Sequence, residues 1–469
     1  MLAAATAQTS VRGHPKGLYI VPSAAMKIPF TSRLDHHMLE VVRGSAVALI
    51  LKVVGAGLTF LLSVVIARFF GADGSGVYSI ALTVLTIATV FGRLGMDNTL
   101  VRFVAGGAAT ANWASVKGAY RAAMVISLVA SVGTSVLLFL TAPFLAERLF
   151  HKPELAPSVR WMALAVTPTV VCTLLSSMLQ GLRRVFASTV LSAVAGSGFA
   201  LLALWLIGPE FGPVGATWAY AIGSVLSAAA AWWWWHRVTP MLKRVRGEFD
   251  RRTLLQSGLP LLWATFMSMA MIWIATFALG VWGTTADVGI FNAASRVTLL
   301  ISFVLIAVNI ISAPKFAALY EAGELDVLAS LARSSTRLMI LLAAPLVIVF
   351  LVVPRAIMGI FGPEFVRGSM VLAILAVAQA ANVIAGSVGH LLIMSGHERQ
   401  VRNSNLVAAA TCLVCAAALV PPLHGLGAAI AVATSQIVRD FVEVDMVRRH
   451  LGIKALFLPA PAYEAARRR

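Results

Sequence analysis

The chain has 469 residues, a formal charge of +18 and only 12% charged residues against 59% hydrophobic, with a mean hydropathy of +0.88. A soluble domain carries about a quarter of its residues as charged groups, so this composition excludes a soluble globular enzyme and describes a polytopic membrane protein. The positive charge by itself invites a nucleic-acid reading, and its distribution along the chain removes it.

Crossing a hydrocarbon core of ~30 Å takes roughly 20 apolar residues. Such runs recur over 44–67, 77–96, 119–141, 159–180, 186–207 and 214–235, and again over 258–280, 288–312, 334–353, 369–394, 404–420 and 426–447. The expected fold is therefore all-α, with about twelve transmembrane helices. Before the first span, residues 1–43 form an N-terminal segment in which "RLDHHMLEVVR" (33–43) reads as an interfacial amphipathic helix. Met26 is a candidate start, and no secretory signal pattern precedes it. Residues 236–257, a basic linker with six Lys or Arg between Arg237 and Arg252, separate the spans into 44–235 and 258–447, and 448–469 form a tail.

When alternate loops are assigned to alternate sides, 27 Lys or Arg fall on the side of the termini and six on the other, these being Arg68, Arg148, Lys152, Arg160, Arg355 and Arg367. This asymmetry places both termini in the cytoplasm and makes the high isoelectric point a matter of topology. A multi-pass protein of the inner (plasma) membrane is expected, without a nucleic-acid partner.

The two halves repeat each other. "GVYSIA" from Gly76 matches "GIFNAA" from Gly289, Pro143 and Phe150 match Pro354 and Phe361, "GLRR" from Gly181 matches "GHER" from Gly396, and "GATWAYA" from Gly215 matches "GAAIAVA" from Gly427. The offsets stay between 211 and 215. An even number of spans per repeat gives both halves the same orientation, so two six-helix bundles related by an axis along the membrane normal are expected around a central cavity.

Four cations lie inside spans: Lys52, Arg93, Arg296 and Arg439. Lys52 sits ~12 Å into its span by helical rise, and a cation at mid-depth costs roughly 2.5–3.5 kcal/mol on insertion scales. Residues of this kind mark a wet cavity or a partner. Arg93 and Arg439 lie near enough to the basic side to snorkel, and Arg439 has Glu443 at helical spacing. The candidate substrate-binding set is Lys52, Arg296, Arg93 and Arg439 with the polar Asn292 and Asn382. A net positive cavity suits a phosphate or pyrophosphate, which arginine grips bidentately. Pro168, Pro260 and Pro345 are candidate kinks, and "WWWW" (232–235) is an interfacial anchor. Cys412 and Cys415 have CxxC spacing on an apolar helix and read as packing thiols, so neither a disulfide nor a metal or other cofactor is expected.

"GADGSGVYSIAL" from Gly71 followed by "RLGMDNTLVRFVA" from Arg93 resembles the second helix and first cytoplasmic loop of the polysaccharide transporter family. Its members are lipid-linked oligosaccharide flippases of the multidrug, oligosaccharidyl-lipid and polysaccharide exporter superfamily. The resemblance implies translocation of an undecaprenyl-pyrophosphate-linked glycan, a polysaccharide or lipopolysaccharide (O-antigen type) precursor, by alternating access. It implies the lipid-linked glycan and membrane lipid as partners, with a glycan polymerase and chain-length proteins beside them. The alternative is an ion-coupled multidrug antiporter of the same superfamily, for which a carboxylate in the first or seventh span would be expected; 44–67 and 258–280 contain none. A membrane enzyme would need a sizeable outer loop with an acid, base or nucleophile set, and the longest outer segments, 146–158 and 354–368, have none.

Overall fold

In the computed structural model residues 31–245, 247 and 251–452 are described, with the backbone alone at 31–46 and at 209, 243, 244, 251, 264, 268, 271 and 272. The expectation about Met26 and the side-chain pattern of 33–43 fall outside the described positions. Residues 44–469 form one compact unit, and apart from the start of α1 all that follows concerns it.

Helix α1 (Thr31–Arg93) is followed by α2 (Met96–Ala109) and by α3 (Trp113–Phe144), which a π-turn continues to Leu149. Next come α4 (Leu155–Gly181), α5 (Val185–Thr189), α6 (Gly196–Ile207) and α7 (Gly212–Val238). The second half holds α8 (Arg251–Trp282), α9 (Thr285–Glu321), α10 (Leu325–Val352) and α11 (Pro354–Gly359). It ends with α12 (Ser369–Ala385), α13 (Val388–Met394) and α14 (Glu398–Leu451). Among the described residues nine helices are long and apolar enough to cross a membrane. From Val47, α1 runs for 47 residues and α14 for 54, each more than twice the length that one crossing needs.

Each of these two bends once. Gly71 (φ 69°, ψ −169°) divides α1, and His424 (φ 47°, ψ −120°), just after Pro421 and Pro422, divides α14. Counting each limb separately and adding α8, the described residues offer twelve helical segments for crossing, the number expected. Helices α4, α5 and α8 differ from expectation only in detail. The helices run through Pro168, Pro260 and Pro345, and non-helical backbone falls elsewhere. A glycine free to take positive φ, or a residue forced to, bends a helix sharply, whereas proline removes one hydrogen bond that neighbours can replace. One expected span, 369–394, is broken at Gly386 (φ 77°), whose α-carbon faces the Thr336 hydroxyl so closely that a Cβ would lie 2.1 Å from it.

Helices α3, α4, α6 and α7 pack together, as do α8, α9, α10, α12 and α14, giving a bundle from each half. Small residues allow the backbones to approach: a Cβ on Gly223 would stand 2.6 Å from the Ala200 amide, and one on Gly55 2.3 Å from the Ala193 carbonyl. The cores are Ala, Leu, Val and Met, with Leu175, Met178 and Leu179 of α4 fully enclosed. Of the linker, 236–238 end α7, 240–244 form a 3-10 turn, and 251–257 are the first turns of α8.

Candidate functional site

The bundles meet at both ends: at the arginine-rich end Gly95 lies against Gly258 and Arg102 donates to the Ser257 hydroxyl (3.1 Å), and at the arginine-poor end the repeat dictates the contact. Gly76 lies against the Thr285 backbone, where a Cβ would stand 1.8 Å from the carbonyl oxygen. Its repeat counterpart Gly289 lies against Ala72, where a Cβ would stand 2.2 Å from the carbonyl. Ala72 and Thr285 are themselves counterparts at the same offset, so the contact is reciprocal, as a two-fold axis requires. Aromatic pairs also cross this contact. Phe361 of the second half meets Phe60 of the first, centroids 5.5 Å apart and edge-on, and its counterpart Phe150 meets Phe277 at 5.1 Å.

Polar contacts close the same end. Arg68 donates from Nε to the Ile360 carbonyl (2.7 Å) and from Nη2 to that of Gly359 (3.2 Å). The Glu364 carboxylate accepts from the Ala72 amide at the Gly71 bend (2.9 Å), and Thr285 donates its hydroxyl to Asp73. Lys152 donates to the carbonyl of Gly280. Burial holds the Lys152 ammonium below the usual lysine range, with Glu154 and Asp287 acting in the opposite direction.

Beneath this closure lies a small pocket between the bundles. The first bundle contributes Ser63 and Ala67 from the first limb of α1 and Tyr78 and Ser79 from the second. From the second bundle come Asn292 and Arg296 of α9, with Phe361 and Phe365 above them. Three effects put Arg296 here. Thr284 and Asp287 cap α9 reciprocally and fix its start, the Gly289 contact fixes its approach to α1, and two turns later position 296 faces the gap. Its side chain is half-buried, and no ion pair or hydrogen bond engages it among the described residues. Its charge reaches the phenols of Tyr78 and Tyr220, whose rings are 6.4 Å apart. Asn292 donates to its own helix at Val288 (3.0 Å), leaving its carbonyl oxygen for the pocket. The arrangement can present a guanidinium, an amide and several hydroxyls to an anionic group.

The other sequence-derived candidates are elsewhere. Lys52 is exposed on α1, eleven residues before Ser63 and so ~16 Å along the helix from the pocket. Arg93 is bound to Asp97 (3.0 Å). There the α1–α2 break is at Leu94 and Gly95, both at positive φ, and Met96 to Asn98 begin α2. Arg439 is bound to its neighbour Asp440 (2.7 Å), not to Glu443, whose carboxylate accepts from the Ser404 hydroxyl (2.9 Å). Asn382 is 3.4 Å from the Gln379 amide oxygen, which also accepts from Gln436 (3.3 Å), within the second bundle. Missed in the sequence were Tyr78, Ser79 and Phe361, which carry no charge to flag them; the matched repeat segments that contain them were the available signal. The three cysteines are free thiols.

A family model described as "Polysaccharide biosynthesis protein" matches residues 41–319. Stage V sporulation protein B of Bacillus subtilis (strain 168) is 30% identical over 141 residues, an alignment covering 30% of this chain and 26% of that protein. Among solved structures, the lipid II flippase MurJ in an inward closed conformation superposes with a TM-score of 0.68 at 13% identity, covering 87% of each chain. An inward-facing multidrug resistance MATE family transporter of the MOP superfamily gives 0.66 at 15% identity, over 84% of this chain and 98% of that one. A MOP superfamily transporter from Pyrococcus furiosus gives 0.57 at 17%, over 88% and 95%. At these identities the superpositions establish a fold. The family match runs through more than half of the sequence, including the glycine contact and Arg296, and the chain belongs to the polysaccharide biosynthesis protein family, built on the two-bundle fold of MOP superfamily transporters.

Proposed function

We propose that this protein is a flippase that carries an undecaprenyl-pyrophosphate-linked glycan, a precursor of a polysaccharide or lipopolysaccharide, across the inner membrane by alternating access. The observation that supports the reading is Arg296: a half-buried guanidinium, without a carboxylate partner among the described residues, facing a pocket between two bundles whose other polar groups are hydroxyls and an amide. Burying such a charge is unfavourable unless something anionic meets it. The family and fold agree with transport and not with catalysis. Lys52, farther along α1, would meet the pyrophosphate on its way to Arg296. A multidrug antiporter that binds cations is the competing reading, and the pocket lining contains no Asp or Glu to serve it. In this scheme both termini and Arg237 lie in the cytoplasm, and the polymerase and chain-length proteins would receive the glycan on the far side.

Proteoliposomes decide between the two. Loaded with a fluorescent lipid-linked glycan, they should transfer it between leaflets, and Arg296→Gln should slow the transfer with expression unchanged. Movement of a cationic dye without movement of the glycan would overturn the reading. For orientation, a cysteine at Arg237 should resist a membrane-impermeant reagent in whole cells; its labelling would reverse the topology.

A further inference from the structure

We propose that His397 and His450 form a binding site for a divalent transition-metal ion of the zinc class at the arginine-rich end of the second bundle, where the ion ties the start of α14 to its end. The inference is independent of the transport reading.

The bend at His424 brings the two ends of α14 together. His397 directly precedes the first turn of the helix and His450 lies in its last, 53 positions apart in the chain, so no spacing motif announces the pair. Their ring centres are 5.2 Å apart, with the ring planes at 63°. Two imidazoles on one tetrahedral zinc, each with a Zn–N bond of ~2.0–2.1 Å, keep their centres about 5 Å apart without being parallel. The two rings already have that separation.

Hydrogen bonds leave the same nitrogen on each ring for a metal. His450 Nδ1 lies 3.0 Å from the Met446 carbonyl oxygen, which can only accept, so Nδ1 carries the hydrogen and Nε2 the lone pair. His397 Nδ1 lies 3.0 Å from Oγ of Ser395, a buried hydroxyl in the turn before α14. With an ion on Nε2 of His397, Nδ1 carries the hydrogen and donates it to Ser395, whose own hydrogen turns to the Leu392 carbonyl 3.1 Å away. A ligating histidine ordinarily donates its other ring N–H to a fixed acceptor, which sets the tautomer and the ring orientation. The Met446 carbonyl and the Ser395 hydroxyl are those acceptors.

The backbone under both rings is held. The His397 amide donates to the Leu392 carbonyl (2.8 Å), and Tyr320 of α9 meets the His397 ring edge-on at 6.4 Å. Leu392, Val447 and Leu451 are enclosed in one apolar cluster, so the ends of α14 approach each other from fixed positions. Among the described residues no third His, Cys, Asp or Glu joins the pair, and water fills the remaining coordination positions. Imidazole ligands suit zinc, copper or nickel, whereas magnesium and calcium take oxygen. The charges nearby in the chain are mixed: Arg399 and Arg448 are exposed, Arg449 is bound to Asp445 (2.8 Å), and the exposed Glu398 follows His397. At exposed positions their fields are weakened by water and salt, so the coordinate bonds decide.

Isothermal titration calorimetry of the full chain in nanodiscs, purified without a histidine tag, reads the site with zinc chloride. His36 and His37 are adjacent in the sequence, so both are changed to Gln in every protein titrated. One zinc per chain should bind to this background protein. His397→Gln and His450→Gln should each weaken it by roughly tenfold or more, and excess magnesium should leave it in place. Saturating zinc should raise the melting temperature of the background protein and of neither variant. Copper(II) at the same site should give an electron paramagnetic resonance spectrum split by two imidazole nitrogens, reduced to one in either variant. Failure to bind zinc, unchanged binding in His450→Gln, displacement by magnesium, or a copper spectrum with fewer than two nitrogens overturns the proposal. If His397→Gln does not fold, the copper spectrum of the background protein still decides the site. None of these measurements reads glycan transfer, so failure of the transport reading leaves the metal site to stand or fall by itself.

Discussion

Helix α7 and the second limb of α14 occupy the same place in the two bundles, related by the offset that pairs Gly215 with Gly427, and they bury different chemistry. In α7 the inward positions are Ser224, Ser227, Ala228 and Ala231; their counterparts in α14 are Gln436, Arg439, Asp440 and Glu443. The α7 hydroxyls return to their own helix, Ser224 to the Ala221 carbonyl and Ser227 to that of Gly223, both at 2.7 Å. The α14 side chains instead reach each other and neighbouring segments. More broadly, every buried polar residue described in the first bundle is Ser or Thr, whereas the second adds Asn309, Gln436, Asp440 and Glu443. The fold at this position is met by small residues alone. Charges retained in one copy of a repeat, where the other shows that packing does without them, are there for chemistry. The pocket follows the same rule: Asn292 stands opposite its counterpart Ser79, and Arg296 corresponds to Thr83.

The comparison holds that the bundles are alike where they touch at the arginine-poor end and different inside, and the largest test concerns that touching surface. Gly76→Val and Gly289→Val each place side-chain atoms on top of partner backbone, so each should abolish closure of the arginine-poor end. Cross-linking between cysteines introduced at Phe60 and Phe361 should fall to background in both. A loss in one and not in its counterpart would break the symmetry argument.

Next in size is Arg296→Gln. Losing a charge-assisted contact of about 1.5–3 kcal/mol predicts a 10- to 100-fold slower glycan transfer, with Arg296→Lys intermediate if only the field matters. The reciprocal change on the first bundle, Thr83→Ser, should leave transfer near the parent rate.

A smaller effect separates stability from chemistry. Asp440→Asn alone leaves Arg439 without its ion pair, and should lower stability by about 1–3 kcal/mol, moderated because Arg439 is 23% exposed and can reach water. Converting Arg439, Asp440 and Glu443 together to Ser, Ala and Ala, the residues of α7, should return the melting temperature to the parent value or above it. A triple variant less stable than Asp440→Asn would show that the charges hold the fold after all.

The smallest effect is at the bend. Gly212 (φ 59°) has His424 (φ 47°) as its counterpart, and a side chain at positive φ costs roughly 1–2 kcal/mol. His424→Gly should therefore stabilise by about 1 kcal/mol after the greater chain entropy of glycine is subtracted. Gly212→Ala should destabilise by a similar amount, and thermal unfolding of both variants reads the difference.

The sequence alone determined a good deal. Span count follows from apolar length against membrane thickness, and the pairing of halves follows from Gly76 with Gly289, because helices that approach at backbone distance tolerate no side chain there. That Arg296 needed a cavity followed from the expense of a cation at mid-depth. The sites of the bends were hidden: proline signals a missing hydrogen bond, while Gly71 and His424 bend because of what the neighbouring bundle and the turn geometry impose. Pairing was hidden for the same reason. Arg439 has Asp440 and Glu443 both within reach along the helix, and Ser404, 39 positions away in the chain, decides which of the two is engaged. Lys52 and Arg296 look alike in sequence as charges inside spans, yet only the packing of α1 against α9 puts one of them in a pocket with Tyr78 and leaves the other on an open face. Local composition encodes depth in the membrane, because transfer energy is a property of each residue; which side chains share a cavity depends on how the bundles dock, a property of no segment taken alone.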